Sequence, residues 1–320
     1  MNAAPPSDVG RPASGPAGVA ASGEESIARA AEQSPQTGPI PLRRRRVGSS
    51  ELQVFPVGLN GFGSAVGTDD AFDILDTYRA LGGNFIDTDA SNEGRSEDFI
   101  GRWMRSRGAR SSVVLAATVG SRADSPGVGR AAIARAVDLS LERLQTDYID
   151  LLLGLDDTAE LFEETLLAVD DLIRAGKVRH AGAADHDANR LVEARVIAAM
   201  LGVTPLVAAQ CDYGLANRQK FEGALASVIV EQGLGAMARV TPSAHTSARW
   251  RGRILAVLEL IARTHHVSPA TIAFAWLLSK PGVCAPVMAV SRADQLLDAV
   301  AATTVQLTRH QVAVLDRVSD

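Results

Sequence analysis

From residue 46 onward, short runs of apolar, β-prone residues alternate with longer segments whose apolar positions recur every three or four residues. The short runs fall at Phe55–Leu59, Asn84–Ile86, Val113–Ala116, Tyr148–Leu153, Val178–Ala183, Pro205–Ala209, Ala236–Val240 and Cys284–Met288. Helical periodicity follows each of them: Ala71–Leu81, Glu97–Arg105, Gly129–Leu144, Glu160–Ala175, Ala188–Leu201, Gln219–Glu231, Arg253–Arg263 with Ala270–Leu278, and Ala293–Val300. Near-continuous apolar strands of this kind suit a parallel sheet covered by helices. Such a series over about 250 residues predicts a closed α/β (β/α)8 TIM barrel rather than an open doubly wound sheet.

Stop signals agree with that reading. Gly82-Gly83, Gly176 and Gly202 end helices, and Ser268-Pro269 opens one with a capping hydroxyl and a first-turn proline. Arg46–Val54 reads as a β-hairpin around a Gly48–Ser50 turn that caps the barrel's N-terminal face, and His310–Val318 as a closing helix. Residues 1–42, rich in Ala, Pro, Ser and Gly, cannot bury enough apolar area to offset ordering and read as a disordered tail. The barrel domain is then 43–320. At the junction, opening the barrel domain, stands Arg43-Arg44-Arg45-Arg46, either a phosphate or nucleic-acid patch or, more simply given the acidic domain behind it, a solvated charge run; in a non-catalytic binding protein the tail and this run would be the element that meets a protein partner.

Composition narrows the function classes. The 320 residues carry 37 acidic and 32 basic side chains, a net charge of −5, which argues against a nucleic-acid partner. No apolar run is long enough to span a membrane, and the start of the chain lacks the apolar core of a secretory leader. The two cysteines, Cys211 and Cys284, give neither a disulfide framework nor zinc spacing. A reducing, cytoplasmic setting and a small-molecule ligand are the expectation.

In a (β/α)8 barrel the chemistry sits where the strands end and the following loops begin. That rule selects Asp87, Asp89, Ser91 and Asn92, then Thr118, Asp156 and Asp157, Asp185 and His186, Gln210, Asp212 and Tyr213, Arg239 and Thr241, and Ser291 and Arg292. The acidic weighting points to paired carboxylates for acid–base work. A hard-metal site is the weaker alternative, since no HxH or HxxE spacing occurs. Asp89, Asp156 and Asp157 have the simpler reading of caps and turns. Asp87 directly ends an apolar strand, so it is expected to face the mouth. With Asp185, His186 and Arg239 it forms the candidate set of acid–base and anion-holding groups. No glycine-rich phosphate loop of standard spacing is present.

Several segments resemble the aldo/keto reductase superfamily. They are Asn84-Phe85-Ile86-Asp87-Thr88 followed by Gly94-Arg95-Ser96-Glu97, Ser140–Leu151, Ala175–Arg179, Ser268–Leu278, and Ser291 with Gln295-Leu296. The resemblance covers roughly residues 44–318 in order. It implies the same barrel and reduction of carbonyls by NADPH through an Asp, Tyr, Lys and His set. Asp87 matches the Asp. The Tyr has no counterpart in Asp89–Glu93, Thr118 stands for the Lys, and Leu155 for the His. A carbonyl oxygen receiving hydride needs a proton donor beside it, and a tyrosine serves when a neighbouring ammonium lowers its pKa. Serine and threonine hydroxyls are poor acids at neutral pH.

The resemblance also assigns cofactor positions. Gln210, Ser291, Arg292 and Gln295 match, and Tyr213 is the candidate to stack on a nicotinamide. Ala184-Asp185 replaces the usual Ser-Asn, and the loop over the pyrophosphate shortens to Ser243–Arg251. The expectation is a barrel with a degenerate catalytic set and no resident cofactor. It would be repurposed for non-redox chemistry (dehydration, isomerisation or cyclisation) or for ligand binding; the alternative is an NADPH-dependent reductase with an unusual proton donor.

Overall fold

A computed structural model of the chain describes residues 43–60, 66–88, 94–119, 121–122, 125–126, 129–154, 162–240 and 248–320. The expectations for the 1–42 tail, and for Asp89, Ser91, Asn92, Leu155, Asp156, Asp157 and Thr241, lie outside the described residues.

The chain enters through a hairpin, β1 (Arg45–Arg46) paired antiparallel with β2 (Gln53–Val54). The barrel strands are β3 (Gly58–Asn60), β4 (Phe85–Thr88), β5 (Val114–Thr118), β8 (Ile149–Leu153), β9 (Val178–Ala184), β10 (Ala208–Asp212), β11 (Gly235–Val240) and β12 (Val283–Met288). They close in parallel register in the order β10-β11-β12-β3-β4-β5-β8-β9. A small ribbon, β6 (Ser121–Arg122) with β7 (Ser125–Pro126), interrupts the segment after β5. The helices are α1 (Thr68–Ala80), α2 (Arg95–Arg107), α3 (Arg130–Leu144), α4 (Phe162–Arg174), α5 (Ala188–Leu201), α6 (Ala224–Glu231), α7 (Ala248–His265), α8 (Pro269–Leu278), α9 (Asp294–Ala301) and α10 (Arg309–Val318). Among the described residues no helix is long and apolar enough to cross a membrane.

Two apolar layers hold this arrangement. The inner one contains Phe85, Ala116, Leu151, Leu153, Ala208, Met237, Ala285 and Val287, together with Val47, Leu52 and Val54 from the hairpin. The hairpin therefore plugs the end from which the strands start, as the sequence suggested. Its turn needs glycine at position 48: φ is +53°, and a Cβ there would collide with the carbonyl oxygen of Val207. The outer layer packs helices onto strands through residues such as Leu59, Ile86, Leu115 and Leu152. The helix starts follow local chemistry. Asp187 and Ser268 accept from backbone amides at the N-termini of α5 and α8, and Thr308 with Gln311 closes a capping box at α10.

Three local expectations change. The first barrel strand is confined to Gly58–Asn60, and the sixth runs over Ala208–Asp212 rather than Pro205–Ala209. Pro205 has no amide to give the ladder. Asp212 stays in it because Arg239, its register partner on β11, neutralises it. The arginine run also changes meaning. Arg45 is a structural anchor, donating to Val283 O and Leu278 O at 2.9 Å each, while Arg43, Arg44 and Arg46 are exposed.

Candidate functional site

Strand alternation decides which side chains enter the mouth. Phe85, Ala116, Ala208 and Met237 belong to the inner layer, so Asp87, Thr118, Gln210 with Asp212, and Arg239 also face inward. On β3, Leu59 packs outward, which turns Asn60 inward beside Asp87 in the register. Asn60 is not among the strand-end residues selected from the sequence above. The same period-of-two argument would have found it.

Asp87 and Gln210 come together. β4 and β10 stand opposite each other in the closed order, and Gln210 Nε2 donates to Asp87 Oδ2 at 2.6 Å across the lumen. Both residues are buried. A buried carboxylate needs such donors, because desolvation would otherwise destabilise its charge.

Asp185, Asp212 and Arg239 form a second group on three adjacent strand ends. Arg239 Nε donates to Asp212 Oδ1 at 2.7 Å, and Arg239 Nη2 reaches both oxygens of Asp185 at 2.7 and 2.8 Å. Burial pulls the guanidinium pKa down, but the two carboxylates outweigh it and hold it above its ordinary value. Asp185 adopts a left-handed conformation, φ +59°, while its amide donates to Gln210 O at 2.8 Å. Aspartate tolerates that region better than most residues.

His186 does not join Asp185. It is buried, with Nδ1 3.0 Å from Ala184 O and its ring 5.9 Å from that of Phe162. A carbonyl partner takes the proton of Nδ1, and Nε2 has no hydrogen-bond partner among the described residues. Asp87, Asp185 and His186 are thus engaged separately rather than with one another. Thr118 ends β5 in register with Leu153.

The cofactor candidates divide. Tyr213 is a correction: its ring is buried, stacked on Phe221 at 4.1 Å and tilted against Trp276 at 5.4 Å, and its hydroxyl donates to Glu222 at 2.8 Å. Apolar neighbours and a local acceptor draw the ring into the core, rather than leaving it open at the mouth. Asp185, at the position that would hold the carboxamide, is bound to Arg239 instead. The other end is different. Gln295 Oε1 accepts from the amides of Ser291 (2.8 Å) and Arg292 (3.3 Å), fixing the turn into α9. Arg292 is exposed and forks onto Asp294 at 3.0 and 2.8 Å, a solvent-screened pair that an incoming phosphate could replace.

The barrel, its hairpin plug and the strand-end residues define a TIM-barrel protein with a site at the C-terminal mouth. The chain belongs to the aldo/keto reductase family, whose model matches residues 56–320. It is 28% identical over 279 residues to an aryl-alcohol dehydrogenase of Pestalotiopsis microspora, covering 78% of this chain and 72% of that protein. Norsolorinic acid reductase B of Aspergillus parasiticus is 28% identical over 285 residues, covering 77% and 73%. An uncharacterized oxidoreductase of Bacillus subtilis is 36% identical over 149 residues, covering 44% and 48%.

Proposed function

We propose that this barrel binds a small molecule at its mouth and does not carry out carbonyl reduction by the tyrosine–lysine route. One observation carries the reading: each of the three tyrosines of the chain is committed elsewhere, and none of its three lysines ends a barrel strand. Tyr78 is buried and donates to Val57 O at 2.6 Å. Tyr148 precedes β8 and lies between the guanidiniums of Arg110 and Arg179, 3.7 and 3.9 Å from its ring centre. Tyr213 bonds Glu222, and burial together with that carboxylate pushes its phenol up, the opposite of what a proton donor needs. Lys177 pairs with Asp138 and Lys280 with Asp316, while Lys220 is exposed between β10 and α6.

Hydride arriving at a carbonyl leaves an alkoxide that must be protonated in place. Asp87 is held by Gln210, Asp185 by Arg239, and His186 by the carbonyl of Ala184. The separate engagement of these groups favours binding over acid–base turnover. The end of the mouth formed by β9, β10 and β11 carries two carboxylates against one guanidinium, which disfavours a pyrophosphate there.

The test is titration of NADPH and NADP⁺ into the purified chain, read by tryptophan emission and thermal shift, with NADPH oxidation followed over a panel of aryl aldehydes and ketones. The expected result is no cofactor oxidation above the protein-free rate. Turnover of about 1 s⁻¹ or faster, at the low end of ordinary enzymes, overturns the proposal. Binding of NADPH without turnover would identify the cofactor itself as the ligand.

A further inference from the structure

Beside the mouth, on the outer side of the barrel, the segment after β10, the end of β11 and the helices α7 and α8 line a half-open pocket of about 340 Å³. Its walls are apolar: Leu215, Trp250, Ile254, Leu258, Phe274 and Leu277. Of the strand-end residues considered for the mouth, Tyr213 after β10 and Arg239 at the end of β11 line it. A dry apolar cavity of about 150 Å³ already admits a benzene-sized guest, so this one has room for a bicyclic aromatic body.

The charged groups at the cavity are both cationic. Arg239 is neutralised by Asp185 and Asp212. Arg251, on the first turns of α7, is exposed and has no acidic partner among the described residues. No Asp or Glu lines the cavity among the described residues. A free guanidinium over an apolar chamber with no competing carboxylate complements an anion carried on an apolar body.

We propose that this side pocket is a binding site for a small aromatic carboxylate: the ring system enters between α7 and α8, and the carboxylate meets Arg251. The site is distinct from the Asp87–Gln210 pair, which takes no part in it; Arg239 lines it but is already held by Asp185 and Asp212.

Isothermal titration of the full chain tests this with three probes of one shape, 2-naphthoate, 2-naphthylmethanol and 2-naphthylmethylammonium. The carboxylate should bind tightest, about tenfold or more over the ammonium. Arg251→Gln should bring 2-naphthoate to the level of the alcohol. Ala273→Phe fills the chamber from α8, and Leu255→Trp occludes it from a half-exposed position on α7; each should weaken 2-naphthoate by about tenfold or more. Leu255→Trp keeps the test decisive should Ala273→Phe fail to fold. The proposal is overturned if no probe binds below about 1 mM. It is equally overturned if the ammonium binds as tightly as the carboxylate, or if a folded filling variant binds 2-naphthoate unchanged.

Discussion

Replacing Gln210 with leucine would delete the amide that donates to Asp87 across the lumen while keeping a side chain of similar bulk. The partners are 2.6 Å apart, with exposures of 2% for Asp87 and 3% for Gln210. A hydrogen bond to a charged, buried acceptor contributes about 1.5–3 kcal/mol. For a chain of this size the loss corresponds to a fall in Tm of roughly 4–10 °C. Asp87→Asn should cost less, because the amide oxygen still accepts from Gln210. In a double-mutant cycle, Asp87→Leu with Gln210→Leu should cost less than the two single changes summed, with a coupling of about 1 kcal/mol or more. Thermal unfolding by circular dichroism measures all four proteins. A coupling under about 0.5 kcal/mol would refute the reasoning, since the two groups would then be solvated separately rather than bonded. The same set bears on function. If Asp87 contacts the ligand, Asp87→Asn abolishes binding while Tm barely moves.

Three further outcomes follow from the packing. Arg45→Met should cost about 2 kcal/mol in urea unfolding, since two part-buried carbonyls lose a charged donor; Arg45→Lys should recover less than half, and Arg43→Met and Arg44→Met should stay within about 0.5 kcal/mol. Burial acts to raise the Glu222 pKa, but the bonds from Arg218 and Tyr213 outweigh it and hold the carboxylate below the usual glutamate range. That stabilisation is present above the ordinary glutamate pKa and lost as pH falls through the folded value, so Glu222→Gln should be less stable near neutral pH and converge with the parent in acid. Burial pushes the thiols of Cys211 and Cys284 up to about 12; neither should react with Ellman's reagent in the native protein near pH 8, and both should react in guanidinium. Labelling of the native protein would contradict their enclosure.

The amino-acid sequence by itself determined the architecture. Eight apolar runs separated by helix-period segments leave a closed barrel as the economical way to bury both faces of a parallel sheet. It also determined the hairpin, several caps, and the strand-end positions at which Asp87, Gln210 and Arg239 stand, because these depend on local periodicity. It also shows that neither β4 nor β5 ends in a Tyr or Lys, the observation from which the proposed function starts.

Which of those groups touch was decided by the tertiary structure. Asp87 and Gln210 are 123 residues apart and meet because closure sets β4 opposite β10. Asp185 leaves its neighbour His186 and turns to Arg239, 54 residues further on, because a left-handed backbone and an adjacent guanidinium direct it there. Tyr213 reads as a mouth residue from its place after β10, yet Phe221 and Trp276 take its ring into the core. Arg45 reads as one of four solvated charges, and the carbonyls of Leu278 and Val283 make it an anchor. Periodicity reports which face a side chain takes. The partner it meets depends on how strands distant in sequence are brought into register when the barrel closes.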